Sequence, residues 1–322
     1  MYIVQFPAEE VKKRIEIAQS ISIVTHLNPD ADTLGTGLGI YALLKHYTSK
    51  HVEIVNASEI LPSHLDFLPF FARIKQKIEF KESLIIGCDC GSIDRFGFDL
   101  QDREIINIDH HASNKMYGTV NVVYGEYASA SQVAYHLFKP IYPITAESAT
   151  CFYAALLSDT LYFTTTAVDE EVFQVAQELI GLGADPVRIA TNFTQRRSLA
   201  SLRILERALH SLSLYRDGRV ALLQVTPEDI EATGSIMSDM DGLVDYACSL
   251  AVVEIAVLLI GLADGTLRVS LRSKRADVAK VAGRFGGGGH KVAAGFILKD
   301  MQMQETIDTI LEEISILGLI DD

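Results

Sequence analysis

The sequence predicts an α/β protein: a parallel-sheet domain, then a smaller mixed α/β C-terminal domain with a GGGGH loop, joined by a helical linker. Three observations carry that prediction. Short apolar runs alternate with helical patterns through the first half, which is the signature of βαβ units and a parallel sheet. Four of those apolar stretches end in clusters of Asp and His, at the position where open α/β sheets place their chemistry. After Asp217-Gly218 the pattern changes to strands, among which lies a four-glycine run at 286–289 followed by His290.

Taken in order, the apolar, β-branched runs 21–25, 52–56, 84–88, 104–108 and 119–123 read as strands. Segment 33–46 reads as a helix, with Asp32 or Thr33 available to cap its first turn. Segments 131–138, 147–157 and 170–182 are further helices, and Gly183 and Pro186 then punctuate the chain. Segment 186–214 is mostly helical and mixes charged residues such as Arg188, Arg196 and Arg203 with apolar ones, as a connector would. Strands are expected at 220–226, at 249–262 with a break at Glu254, and at 266–272 after a turn at Asp264-Gly265. A helix over 276–285 leads into the glycine run, and 294–298 is a last strand. The expected domains are 1–186 and 215–322, with the linker at 187–214.

Composition narrows the function classes. A chain of 322 residues with 48% hydrophobic content can bury two cores. The N-terminus lacks a basic segment followed by an apolar run, and no apolar stretch approaches the ~20 residues of a membrane span, so a cytoplasmic protein is expected. Of four cysteines only Cys88 and Cys90 are close; a CxC pair could ligate a soft metal, but strand alternation would point both at one face as small core residues, which is the expectation here. A net charge of -14 argues against a general binder of long duplex nucleic acid. It is compatible with a small anionic substrate, provided that bound cations and local arginines supply positive charge.

The polar clusters are suited to that task. His26, Asp30 and Asp32 share a loop in which Pro29 keeps Asn28 out of a helix, so three side chains can converge. Asp89 ends the third strand, Asp109-His110-His111 the fourth, and Asp159 the stretch 151–157. Singly, these are a turn, a helix cap and ordinary strand-end polarity. Jointly, carboxylates and imidazoles at the mouths of several apolar runs suit Mn, Mg, Fe or Zn. One shared aspartate would hold two cations at the ~3.5 to 4 Å spacing used in phosphoester hydrolysis, and Asp89, on a central strand, is the candidate bridge. The glycine run is flanked by apolar residues, unlike a flexible linker. Its backbone N–H groups, with Arg272, His290 and Lys291, suit a phosphate.

The combination His-x-x-Pro-Asp-x-Asp, a strand-end Asp, Asp-His-His, a later Asp and Gly-Gly-Gly-Gly-His, in this order, resembles the DHH phosphoesterase superfamily over nearly the whole chain. The resemblance implies a first metal held by His26, Asp30 and Asp89 and a second held by Asp32, Asp89, His110 and Asp159. It implies that Asp109 orients an imidazole, that His111 contacts the scissile phosphate, and that Arg272, Ser273, Gly288, Gly289 and His290 bind the substrate. Two divalent cations are implied, Mn first, with Mg, Fe or Co as substitutes, and a homodimer. Length and the GGGGH run point to the soluble two-domain group, nanoRNase and pAp phosphatase-like enzymes that hydrolyse very short RNA to 5′-mononucleotides. A cytosolic phosphodiesterase for cyclic di-AMP or pApA is the alternative, and a non-catalytic nucleotide-binding regulator a second one. One departure stands out: members of the superfamily often read Asp-Thr-Gly where this chain has Asp159-Thr160-Leu161.

Overall fold

A computed structural model of the chain describes residues 6–299 and 303–320. It divides into two compact units, Met1–Arg196 and Arg197–Asp322, each built on its own six-stranded sheet.

The first unit comprises α1 (Ala8–Ile17), β1 (Ser20–Thr25), α2 (Ala31–Tyr47), β2 (His51–Asn56), β3 (Ile74–Lys75), β4 (Leu84–Cys88), β5 (Ile105–Asp109) and β6 (Val120–Val123), followed by α3 (Ala130–Phe138), α4 (Ala146–Asp159), α5 (Glu170–Gly181) and α6 (Pro186–Thr194). The strand order is β3-β2-β1-β4-β5-β6 and every pairing is parallel. β4 and β5 are buried along their full length, which is why they read as unbroken apolar runs. α2 is buried from Ala31 through Leu44 and packs against α4. A Cβ on Gly35 would stand 2.7 Å from the Ala155 Cβ, and one on Gly39 would stand 2.3 Å from the Phe152 ring. Two glycines in a helix interior each cost about 1 kcal/mol of propensity. Here they set the distance of closest approach between the two helices.

Sequence and structure differ at the start of α2. Its N-cap is Asp30, whose carboxylate accepts from the Thr33 N–H at 3.0 Å, rather than Asp32 or Thr33. Asp32 lies inside the first turn, and its carboxylate is engaged elsewhere. The segment expected as a connector is two helices with separate cores. Ile189 of α6 is buried in the core of the first unit, whereas Ile204 and Ala208 of α7 (Leu199–His210) are buried in the second.

The second unit continues from α7 with β7 (Ser213–Tyr215), β8 (Val220–Val225), α8 (Pro227–Thr233), α9 (Leu243–Cys248), β9 (Ile255–Gly261), β10 (Thr266–Ser273), α10 (Val278–Arg284), β11 (Gly288–His290), β12 (Ala293–Lys299) and α11 (Met303–Ile316). The order is β11-β12-β10-β9-β8-β7, parallel between β8 and β9 and antiparallel elsewhere. Alternating residues of β9 divide between two cores. Val257 and Leu259 pack with α10 and α11, and Ala256 and Leu258 pack with α7 and α9. The expected strand 249–262 begins only at Ile255, because 249–254 turns out of α9.

Candidate metal centre

The strand order of the first sheet reverses between β1 and β4, so the connections leaving those strands diverge and open a crevice at their C-terminal ends. His26 follows β1, Asp89 follows β4, and Asp109 ends β5 with His110 and His111 behind it. Asp30 and Asp32 enter on the first turn of α2, and Asp159 is the last residue of α4.

Asp89 is the centre of this arrangement. His26 Nε2 lies 3.5 Å from Asp89 Oδ2 and 3.9 Å from Asp30 Oδ2. His110 Nε2 lies 3.6 Å from Asp89 Oδ1, 3.8 Å from Asp32 Oδ2 and 3.5 Å from Asp159 Oδ2. His111 Nδ1 is 3.5 Å from Asp89 Oδ1 and 2.7 Å from Asp109 Oδ1. Asp89 therefore belongs to three sets whose ligand atoms all fall within 4.8 Å of one another: with His26 and Asp30, with Asp32 and His110, and with Asp109 and His111. It also has φ 54°, a left-handed conformation that aspartate tolerates better than most residues.

The electrostatics are those of a site short of positive charge. Burial, then the neighbouring carboxylates, pushes the pKa of Asp89 and Asp159 well above the usual carboxylate range. Asp32 is raised by burial against the opposing pull of His110, and its oxygens accept the Ala130 and Ser131 N–H groups at the start of α3, 2.7 and 3.1 Å away. Burial lowers His26, keeping it neutral. Its Nδ1 lies 2.8 Å from the Leu27 carbonyl, which can only accept, so the proton sits there and the Nε2 lone pair points at two carboxylates. Among the described residues, the buried Asp89 Oδ1 accepts no hydrogen bond. A lone pair facing carboxylates and an orphaned buried oxygen both fit a hard divalent cation.

Asp109 differs from its neighbours. Burial pushes its pKa up, but hydrogen bonds outweigh this and hold it below the usual range. It accepts from His111 Nδ1, from the His110 and His111 N–H groups, and from Asn114 Nδ2. Asn114, which also donates to the Cys90 carbonyl, was not legible in the sequence: a lone Asn in a polar loop carries no spacing signal.

Behind Asp159 the chain makes a rare turn. Leu161, Tyr162 and Phe163 have φ of 46°, 61° and 63°. The Tyr162 N–H bonds the Leu157 carbonyl at 2.8 Å and the Thr160 N–H the Leu156 carbonyl, closing α4 with the left-handed residue that usually is glycine. Thr160 is buried and bridges the turn through the Leu156 carbonyl and the Phe163 N–H. Leu161, the departure noted in the sequence, occupies the glycine-favouring position and is exposed.

In the second unit, Arg272 and Ser273 end β10, and Gly288, Gly289 and His290 form β11 at the sheet edge, exposed. Arg272 Nε is 3.2 Å from Asp245, and the buried Ser273 hydroxyl donates to the Ala276 carbonyl. The glycine run is partly explained by packing. A Cβ at Gly287 would lie 2.2 Å from the Gly295 carbonyl, and Gly289 has φ 145° against the Ala293 carbonyl.

Residues 20–156 match the model of the DHH family, N-terminal domain, and residues 219–316 that of the DHHA1 domain. The chain is 29% identical over 309 residues to the bifunctional oligoribonuclease and PAP phosphatase NrnA of Thermus thermophilus, covering 95% of this chain and 91% of that one. It is 24% identical over 295 residues to the NrnA of Bacillus subtilis, and the alignment spans 91% of that protein. A cyclic-di-AMP phosphodiesterase PdeA of Listeria monocytogenes is 22% identical, but only 49% of its length is covered. Among solved structures, an exopolyphosphatase-related protein from Bacteroides fragilis superposes with a TM-score of 0.88 at 25% identity, over 96% of both chains.

Proposed function

This chain is a DHH-family protein with a DHHA1 domain, and from that premise we propose that it is a metal-dependent phosphodiesterase that hydrolyses very short RNA to 5′-mononucleotides and removes the 3′-phosphate of pAp. The observation that carries the reading is the buried, hydrogen-bond-deficient Asp89 at the junction of three ligand sets. Full-length similarity to proteins named as oligoribonucleases and PAP phosphatases supports the substrate class.

His26, Asp30 and Asp89 would hold one divalent cation, Mn first. Asp32, Asp89, His110 and Asp159 would hold the second, with Asp89 shared. When bound, such cations neutralise charge developing on the phosphoryl oxygens and ease ionisation of water. The protein's own part is positional. Asp109 fixes His111 through Nδ1 and, being ionised, favours the imidazolium form, so Nε2 on the far side of the ring would give its proton to the departing 3′ oxygen as the P–O3′ bond breaks and water's oxygen, its own proton lost to solvent, joins phosphorus. Asp109 stays ionised in this role, consistent with its hydrogen bonds. In the second unit Arg272, Ser273, Gly288, Gly289 and His290 would hold the substrate's terminal phosphate or nucleotide.

The test is product formation with Mn against linear pApA, a five-residue RNA, a long RNA, pAp and cyclic di-AMP. Fast AMP release from pApA and the short RNA, with slow turnover of long RNA and the cyclic compound, is the expected result. Preferential opening of cyclic di-AMP would replace this reading with a signalling phosphodiesterase.

A further inference from the structure

A second polar site lies at the opposite end of the same parallel sheet. Lys77, Ile78, Lys81, Phe98, Asp99 and Arg103 line an open groove of about 370 Å3, within the size range of small-molecule sites. Ser83 precedes β4 and Asp89 follows it, so the groove lies about 20 Å from the metal cluster along the strands. In a chain of net charge -14, three cations around one groove are a local inversion of sign. Among the described residues, neither Lys77 nor Lys81 pairs with a carboxylate.

The groove is held from beneath. Glu53, a buried carboxylate on β2, accepts the N–H groups of Glu79 and Phe80 and the Ser22 hydroxyl, which pins the loop carrying both lysines. Arg103 is anchored by one nitrogen only, its Nη2, which donates to the carbonyls of Phe80 and Ser83 and to the Ser83 hydroxyl. The remaining donors of its planar fork are uncommitted among the described residues. The floor is apolar: Ile78 and Phe98 are half-buried against the small core that includes Phe96 and Leu100. Asp99 adds one acceptor at the rim, with Oδ1 taking the Gln101 N–H.

We propose that this groove is a binding site for a nucleoside monophosphate: Lys77, Lys81 and Arg103 take the phosphate, Phe98 takes the face of the base, and Asp99 accepts from the ribose hydroxyls. A prepositioned arginine fork beside two lysines suits a terminal phosphate. An aromatic ring suits a base of any sequence. The lone acid disfavours a bare polyanion and favours a ligand that carries hydroxyl donors next to its phosphate. The inference is independent of the catalytic reading, since no residue of the groove belongs to the metal cluster.

The chain contains no tryptophan, so Phe98→Trp places a single indole in the groove. AMP is expected to quench it saturably, adenosine and inorganic phosphate to do so much more weakly, and Lys77→Glu/Lys81→Glu to weaken AMP by about tenfold or more. The same response should persist when Asp89→Asn is added, which separates the groove from the metal cluster. Calorimetry on the wild-type chain and on Lys77→Glu/Lys81→Glu alone covers the case in which the tryptophan variant does not fold. No response to AMP in either assay, an equal response to adenosine, or an AMP signal untouched by the charge reversal would overturn the site. Equal responses to AMP and pyrophosphate that vanish together in moderate salt would reduce it to unspecific cation attraction, and the nucleotide assignment would fail.

Discussion

The first sheet carries a buried carboxylate near each end, and the two are treated in opposite ways. Glu53, toward the N-terminal ends of the strands, is buried and surrounded by donors: the Ser22 hydroxyl, the backbone of Glu79 and Phe80, and Lys75. Asp89, at the C-terminal ends, is equally buried, yet among the described residues one oxygen finds no donor, and four further carboxylates, Asp30, Asp32, Asp109 and Asp159, act on it. A buried acid satisfied by the protein's own donors is a structural joint. One left short of donors among imidazoles and other carboxylates has the chemistry to accept a cation, because leaving such a group bare costs several kcal/mol.

The contrast can be broken most directly at Asp89. Asp89→Asn should lower turnover by about 10^3-fold, while leaving the melting temperature in chelator unchanged or raised, since a buried acid crowded by other carboxylates is removed. Turnover near the wild-type level would show that Asp89 is no more functional than Glu53. The converse substitution comes next. Glu53→Ala should destabilise the fold by about 3 kcal/mol in denaturant titrations, because it strands the Glu79 and Phe80 N–H groups and removes an acceptor from the buried Ser22 hydroxyl. Activity per folded molecule should hold, and a fall in turnover without lost stability would contradict the assignment of Glu53 as a joint.

Removing metal sharpens the same comparison. Chelation should lower stability, and Mn at about 100 times its dissociation constant should restore about 2.7 kcal/mol; Glu53→Ala should retain that increment and Asp89→Asn should lose most of it. Calorimetry with and without Mn reads both. The smallest effect is expected at Leu161. With φ 46°, Leu161→Gly should stabilise the first unit by about 1 kcal/mol, a few degrees in melting temperature. A destabilised variant would mean that the exposed leucine makes contacts that outweigh its backbone strain.

Most of the first unit was legible because its determinants are local. The strands β1, β2, β4, β5 and β6 announce themselves as apolar runs, and α3 and α4 as helical segments; their caps, Ser129 and Thr145, come from the structure. The two-residue β3 escaped because nothing distinguishes it from a loop, and the helices α1, α8, α9 and α11 were not anticipated from the sequence. The cap of α2 moved to Asp30 for a reason invisible locally: Asp32 is held by the N-terminus of α3, 98 residues away.

The sequence by itself determined which residue types stand at each strand mouth, since parallel strands buried on both faces must be apolar until they emerge. It thereby determined the chemistry available: carboxylates and imidazoles gathered at the strand ends. Only the tertiary structure decided that β1 and β4 lie side by side, that the segments after them diverge, and that Asp89 consequently meets His26, Asp32 and His110 while Asp109 turns to His111 and Asn114. Those are pairings between residues far apart in the chain, set by strand order and burial, and no local pattern encodes them.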